Sequence, residues 1–273
     1  MAPFDHIAGG PGSFRSGCPV ACRAGIRSRS GVPRRFVRIF PAIDVLGGGV
    51  VRLFQGDYGR VTRYGESIGG QLEAWKEAGA AWVHVIDLDG ARRGEPDQSL
   101  WRRVAGRGVA VQLGGGIRSA ADAVAALGCG IDRVIMGTSA VWSPGVLAST
   151  VERASPDRVV AAVDVRDGRA GGQGWLDEGR EFEQVVEGAL EAGVSRFLVT
   201  AIARDGAMSG PDLELLEAVR RRAPDAELMA AGGIATMDDL RELAARGIDG
   251  AVIGRALYEG GIHLTEALAE FPG

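Results

Sequence analysis

Two aspartates stand at matching places in this chain. Asp44 closes the run Pro41-Ala42-Ile43-Asp44-Val45, and Asp164 closes Ala161-Ala162-Val163-Asp164-Val165. Carboxyl groups at the ends of apolar strands suit general acid–base work, because burial and neighbouring charges can drive two of them to opposite protonation states. A second kind of repeat accompanies them. Gly114-Gly115-Gly116-Ile117-Arg118-Ser119 and Ala231-Gly232-Gly233-Ile234-Ala235-Thr236 each follow an apolar run and open an amphipathic segment. Further on, each is followed by another apolar run ending in glycine, Val134-Ile135-Met136-Gly137-Thr138 and Ala251-Val252-Ile253-Gly254-Arg255. The offset is 117 residues from Gly115 to Gly232 and again from Gly137 to Gly254. Glycine between a strand and a helix lets backbone N–H groups face a ligand, and the helix N-terminus behind it favours an anion. One such turn is as readily a plain tight connection. Four of them at a constant offset predict two phosphate-sized sites.

The elements that must position these residues follow from the same periodicity. Apolar runs begin at Val37, Trp82, Val109, Arg133, Val159, Arg196, Leu228 and Ala251, and amphipathic segments separate them. Continuous apolar strands are those of a parallel sheet buried on both faces. Eight of them alternating with helices predict a single (β/α)8 TIM barrel over residues 36–273, built from two half-barrel repeats. An open doubly wound sheet is the alternative, but two equivalent halves close more naturally into a ring. In a barrel the C-terminal strand ends face the active site. Asp44 and Asp164 then face each other across the mouth with a phosphate site on either side. The expected substrate is an elongated small-molecule bisphosphate that reacts in its middle.

Other residues invite chemistry and have plainer readings. A strand-end Asp is often a helix N-cap. Asp205 beside Gly206 has the composition of a turn, Thr200 is β-branched within a strand, and Asp87 and Asp89 serve as structural acceptors. His84 sits mid-strand and reads as a core residue. Trp175, in the insert of residues 166–175 after the fifth strand, suits stacking on a planar ring or packing within the insert itself.

Charge and composition narrow the classes. The chain of 273 residues has a net charge of −4, yet residues 1–35 carry six Arg and one acid, Asp5, so the remainder is distinctly acidic. An acidic body argues against a nucleic-acid surface. No apolar run is long enough to span a membrane. Cys18, Cys22 and Cys129 form neither a disulfide framework nor a zinc-ligand set, which fits a reducing cytoplasm and no metal. Residues 1–35 are rich in Gly, Pro, Ser and Arg without apolar periodicity. They read as a disordered extension or as sequence ahead of the true translation start.

Taken together these motifs resemble a known family. Pro41-Ala42-Ile43-Asp44, Arg52-Leu53-Phe54-Gln55-Gly56-Asp57-Tyr58, His84-Val85-Ile86-Asp87-Leu88-Asp89-Gly90-Ala91, Gly174-Trp175 and Thr200-Ala201-Ile202-Ala203-Arg204-Asp205-Gly206, with the four glycine turns, are similar to the ProFAR isomerases of histidine biosynthesis. The resemblance implies an Amadori rearrangement of an aminoaldose to an aminoketose by a monomer without cofactor. It implies that Asp44 is the base at C2′, that Asp164 is the acid at the ribose ring oxygen with Asp205 as its rival, and that Thr200 positions the opened sugar. Arg52, Thr138 and Arg255, with the turns at Gly115, Gly116, Gly137, Gly232, Gly233 and Gly254, would hold substrate and phosphates, and Trp175 would stack on the imidazole. The cyclase of the following pathway step has Pro-Cys-Leu-Asp in its first strand, unlike this chain. Bifunctional isomerases that also accept phosphoribosylanthranilate carry Arg-Gly-Trp in the insert, where this chain has Gln173-Gly174-Trp175. Gln lacks the charge for a bidentate carboxylate pair. A catalytically dead bisphosphate-binding barrel is a further alternative, and the presence of both acids speaks against it.

Overall fold

The computed structural model describes residues 37–172, 174–175 and 178–273. The segment of residues 1–35 and Gln173 lie outside the described residues. Eight parallel strands form a closed ring: β1 (Arg38–Leu46), β2 (Trp82–Asp87), β3 (Ala110–Gly114), β4 (Arg133–Met136), β5 (Val159–Arg166), β6 (Arg196–Ala201), β7 (Glu227–Ala231) and β8 (Gly250–Ile253). Each pairs with its neighbours in sequence, and β8 closes on β1 with Arg38 opposite Gly250. Helices α1 (Ile68–Glu77), α2 (Gln98–Val104), α3 (Ala120–Gly128), α4 (Pro144–Ala154), α5 (Phe182–Glu191), α6 (Leu213–Arg222), α7 (Met237–Ala245) and α8 (Leu264–Glu270) complete the eight βα units. This is the (β/α)8 barrel expected from the alternation.

Strand parity decides what faces the barrel axis. Side chains alternate between faces with a period of two. Phe40 and Ala42 of β1, Ile135 of β4, Val160 and Ala162 of β5, Leu198 of β6, Met229 of β7 and Val252 of β8 form the inner apolar cluster. Ile39, Ile43, Val83, Val85, Val111, Leu113, Val163 and Val199 belong instead to the larger cluster that includes the helix residues Leu72, Trp75, Leu100 and Leu147. Continued by two residues, the inner rows 40-42, 160-162 and 198 reach Asp44, Asp164 and Thr200. The rows through Ile135 and Val252 reach Gly137 and Gly254. The site therefore sits at the C-terminal ends of the strands because the parity of the core leads there.

The twofold repeat extends to the connections. Ser119 caps α3 by accepting from Asp122 N at 3.0 Å, and Thr236 caps α7 by accepting from Asp239 N at 3.2 Å. Asp132 accepts from Val111 N at 2.8 Å and Asp249 from Leu228 N at 2.9 Å, each holding the start of a strand. All four pairs obey the 117-residue offset of the glycine turns.

Two connections depart from the sequence expectation. In sequence, Gln55-Gly56-Asp57-Tyr58-Gly59 reads as a turn out of a small strand of residues 50–54; in the structure Gly49–Phe54 and Asp57–Gly65 form an antiparallel hairpin, and the turn is Gln55-Gly56 alone. The run of residues 82–89 reads as one strand ending in acids; in the structure β2 ends at Asp87, which accepts from Gly90 N and caps the short helix Leu88–Arg93. The insert after β5 is hairpin-like as expected, and a further short strand, Arg180–Glu181, pairs with Arg169–Gly171.

Phe40 fills the floor of the barrel and is fully buried. Truncating a buried aromatic costs about 3–5 kcal/mol. Phe40→Ala is expected to lower unfolding stability by that amount in urea titration.

Candidate active site at the barrel mouth

One cavity at the mouth is lined by all fourteen residues singled out from the sequence: Asp44, Arg52, Gly115, Gly116, Gly137, Thr138, Asp164, Trp175, Thr200, Asp205, Gly232, Gly233, Gly254 and Arg255. The ring order places β3 and β4 opposite β7 and β8, so the paired turns lie on opposing sides. Strands β1 and β5 are likewise opposed, which sets Asp44 across from Asp164.

Asp44 is held by the hairpin that follows its own strand. Val51 pairs with Asp44, and the next residue, Arg52, returns its guanidinium over the carboxylate. Arg52 Nη1 donates to Asp44 Oδ2 at 2.6 Å, and Nη2 donates to the Ala42 carbonyl. Both side chains are nearly withdrawn from solvent, at 11% exposure for Arg52 and 14% for Asp44. The guanidinium also lies against Gly254, where a Cβ would come within 2.6 Å of its Cζ. Burial pushes the Asp44 carboxyl up, and the charge and hydrogen bond of Arg52 hold part of that rise back.

Among the described residues, Asp164 is held by neutral donors and not by a cation. Its Oδ2 accepts Trp175 Nε1–H at 2.8 Å, and Thr200, its register partner on β6, supplies a second hydrogen bond. Burial pushes this carboxyl up, and the two neutral donors offset the rise only in part. Asp205 follows the short turn Ile202–Arg204 after β6. Its carboxyl is pushed up to about 7, by burial first and then by the nearby Asp44 charge; the Arg52 charge opposes this rise and the Asp164 charge adds to it. Near neutral pH this group retains a proton that ordinary carboxyls have lost.

The glycine turns differ in what requires glycine. Gly115 and Gly232 both have positive φ, +103° and +87°, and both press on the preceding connection. A Cβ on Gly115 would overlap the Asp87 carbonyl oxygen, and one on Gly232 would lie 2.7 Å from the Ala201 carbonyl oxygen. Gly137 differs, with φ of −93° and its nearest neighbour, Ala162 Cβ, at 3.6 Å from a built Cβ. Its value is open space in front of a backbone N–H, not a special conformation.

Two residues missed at the sequence level belong to this cavity. Arg118, immediately after the first Gly-Gly turn, lines it and donates Nη2 to the Ala91 carbonyl at 3.2 Å. It gives the β3–β4 side a cation to match Arg255 on the β7–β8 side. Its position in Gly-Gly-Ile-Arg was a sufficient signal. His84 also lines the cavity while being buried, and its Nδ1 lies 3.0 Å from Gln112 Nε2. Burial, with the Arg52 charge, lowers the His84 pKa to about 3, so the imidazole stays neutral. Asp87 and Asp89 are structural acceptors as expected: Asp87 binds Gly90 N and Asp97 N, and Asp89 binds Gly47 N.

The architecture is a (β/α)8 barrel whose mouth gathers paired glycine turns around three acids, and comparison with known proteins gives its family. The family model of the histidine biosynthesis proteins matches residues 38–263. A protein of Acidothermus cellulolyticus is 42% identical over 236 residues, 85% of this chain and 97% of its own length. A Roseiflexus castenholzii protein is 42% identical over 86% of this chain and all of its own length, and one from Leuconostoc mesenteroides is 40% identical over 84% and 97%. All three carry the name 1-(5-phosphoribosyl)-5-((5-phosphoribosylamino)methylideneamino)imidazole-4-carboxamide isomerase. This chain belongs to the histidine biosynthesis protein family.

The contrast between the glycines is testable. Forcing a side chain into a strained positive-φ position costs about 1–3 kcal/mol. Gly232→Ala is expected to lose that much in urea unfolding. Gly137→Ala is expected to stay within about 0.5 kcal/mol of the parent while weakening the affinity for a bisphosphate ligand measured by calorimetry.

Proposed function

We propose that this protein is the isomerase that converts ProFAR to its phosphoribulosyl isomer by an Amadori rearrangement. The observation that carries the reading is the placement of three carboxyl groups, Asp44, Asp164 and Asp205, in one cavity between two opposed pairs of glycine turns. A substrate with a phosphate at each end spans those turns and brings its central aminoaldose to the acids. We read the protein as a monomer that carries out the reaction in the cytoplasm.

The chemistry needs one acid and one base. Ring opening requires a proton at the furanose oxygen, and the rearrangement then removes the C2′ proton. Asp44 is the base in this reading, because it alone of the three has a guanidinium at hydrogen-bond distance to favour the anion. Asp205 supplies the proton, since its carboxyl, raised to about 7, keeps its proton to a higher pH than an ordinary carboxyl. Asp164, occupied by Trp175 and Thr200, orients the indole that stacks on the imidazole and fixes the opened sugar through Thr200. The phosphates sit on the backbone of the turns, with Arg118 at one end and Arg255 at the other.

Steady-state turnover of purified protein on ProFAR, without added metal or cofactor, tests the reading directly; no turnover would refute it. Asp44→Asn and Asp205→Asn are each expected to lower kcat by about 10²–10⁴-fold with binding of the substrate retained in calorimetry.

The pH dependence follows from the raised Asp205 pKa. Its acid form is present below about 7 and is lost as the pH rises through that value, so kcat/KM is expected to fall on the alkaline side with an apparent pKa near 7. A profile flat from pH 6 to about 9 would remove Asp205 from the acid role.

A further inference from the structure

We propose that Gln55 is a positioning residue that clasps the Asp205 loop onto the cavity and thereby sets the proton donor in place. The proposal rests on the isomerase reading above and concerns how its acid is held.

Gln55 is the first residue of the two-residue turn between the strands Gly49–Phe54 and Asp57–Gly65. Both turn residues have positive φ, 52° at Gln55 and 75° at Gly56. Hairpin turns of that shape favour Asn, Asp or Gly at the first place. A longer side chain there has no local advantage, and a non-glycine residue held in the left-handed region asks for a compensating contact. The contact is found across the mouth of the barrel. Gln55 Nε2 donates to the Ala203 carbonyl at 2.6 Å, and Gln55 N donates to the Asp205 carbonyl at 3.0 Å. Its own carbonyl accepts Arg166 Nη2 at 3.0 Å, from the end of β5. One residue thus ties together the connections that follow β1, β5 and β6.

The neighbours show how closely the hairpin lies on the acid. A Cβ on Gly206 would be 2.7 Å from the Leu53 carbonyl oxygen, so the hairpin backbone rests directly on the peptide after Asp205. Arg255 Nη1 holds the same peptide from the other side, donating to the Gly206 carbonyl at 2.7 Å. Trp175 packs on Gly56 and continues the cover over Asp164. The charged groups acting on Asp205 are Asp44 of β1, Arg52 of the hairpin and Asp164 of β5, with the Gly206 N–H as a local donor. A change at Gln55 replaces none of them. It alters how the hairpin seats the Asp205 loop and how well it excludes water from the carboxyl.

Gln55→Met keeps the length of the side chain and removes the donor, and Gln55→Asn keeps the amide, suits the turn better and cannot reach Ala203. Both are measured against the parent on ProFAR. Misplacing a proton donor by a fraction of an ångström is expected to lower kcat by about 10-fold or more in each variant, with KM changed by less than about 3-fold. The alkaline limb of the kcat profile is expected to move down by about one pH unit as the carboxyl is rehydrated. Amide hydrogen exchange across residues 202–210 is expected to rise in Gln55→Met, and this reading needs no activity. A parent that fails to turn over ProFAR would refute the isomerase reading while exchange still reports on the clasp. A parent that turns over, with variants of unchanged kcat, unchanged limb or unchanged exchange, would overturn the positioning role.

Discussion

Three carboxyl groups and one guanidinium share the floor of a single cavity, and the balance among them is the constraint on everything around it. Buried carboxyls close together cannot all be ionised at little cost. Here Arg52 is spent on Asp44, neutral donors are spent on Asp164, and Asp205 is left to keep its proton. Environment alone therefore separates three chemically identical side chains into different states. The separation is what acid–base catalysis in one pocket requires.

The barrel supplies a symmetric frame, and function lies in its departures from symmetry. The glycine turns, the helix caps at Ser119 and Thr236, and the strand anchors Asp132 and Asp249 all repeat at one offset. A substrate with two like ends is matched by a protein with two like halves. A reaction at the centre needs the halves to differ, because a base and an acid are different demands. The β1 connection carries an arginine hairpin, whereas the β5 connection carries an indole. Thr200 stands beside Asp164 on β6, whereas the residue beside Asp44 on β2 is Ile86. These substitutions at equivalent positions make Asp44 and Asp164 unequal.

The legible part of the molecule was the part that follows from local rules. Parallel strands buried on both faces are continuous apolar runs, so all eight were visible, and glycine between strand and helix marked the turns. Parity within those runs also fixed the direction of Asp44, Asp164 and Thr200. The strand Asp57–Gly65 was not visible, because it is mostly exposed and has no apolar row: its sequence reads Asp-Tyr-Gly-Arg-Val-Thr-Arg-Tyr-Gly, and it exists through pairing with Gly49–Phe54. The contacts of Gln55 join residues 111 and 148 positions away, and no periodicity encodes such distances. Arg118 was in plain view within a motif whose glycines drew the attention.

The hairpin after β1 explains why those invisible contacts matter. It provides the cation that favours the Asp44 anion, through Arg52, and, through Leu53, Gln55 and Gly56, part of the cover over the Asp205 loop, whose carboxyl burial pushes up to about 7. Stabilising an anion and excluding water from an acid are opposite electrostatic tasks, and a single two-stranded element serves both because Arg52 lies on its strand and Gln55 in its turn. In the proposed roles, lifting the hairpin would hydrate Asp205 and free Asp44 from Arg52 at once, so acid and base would be disturbed together. Bond by bond, the chemical competence of the buried acids is a property of how this surface element closes on the barrel.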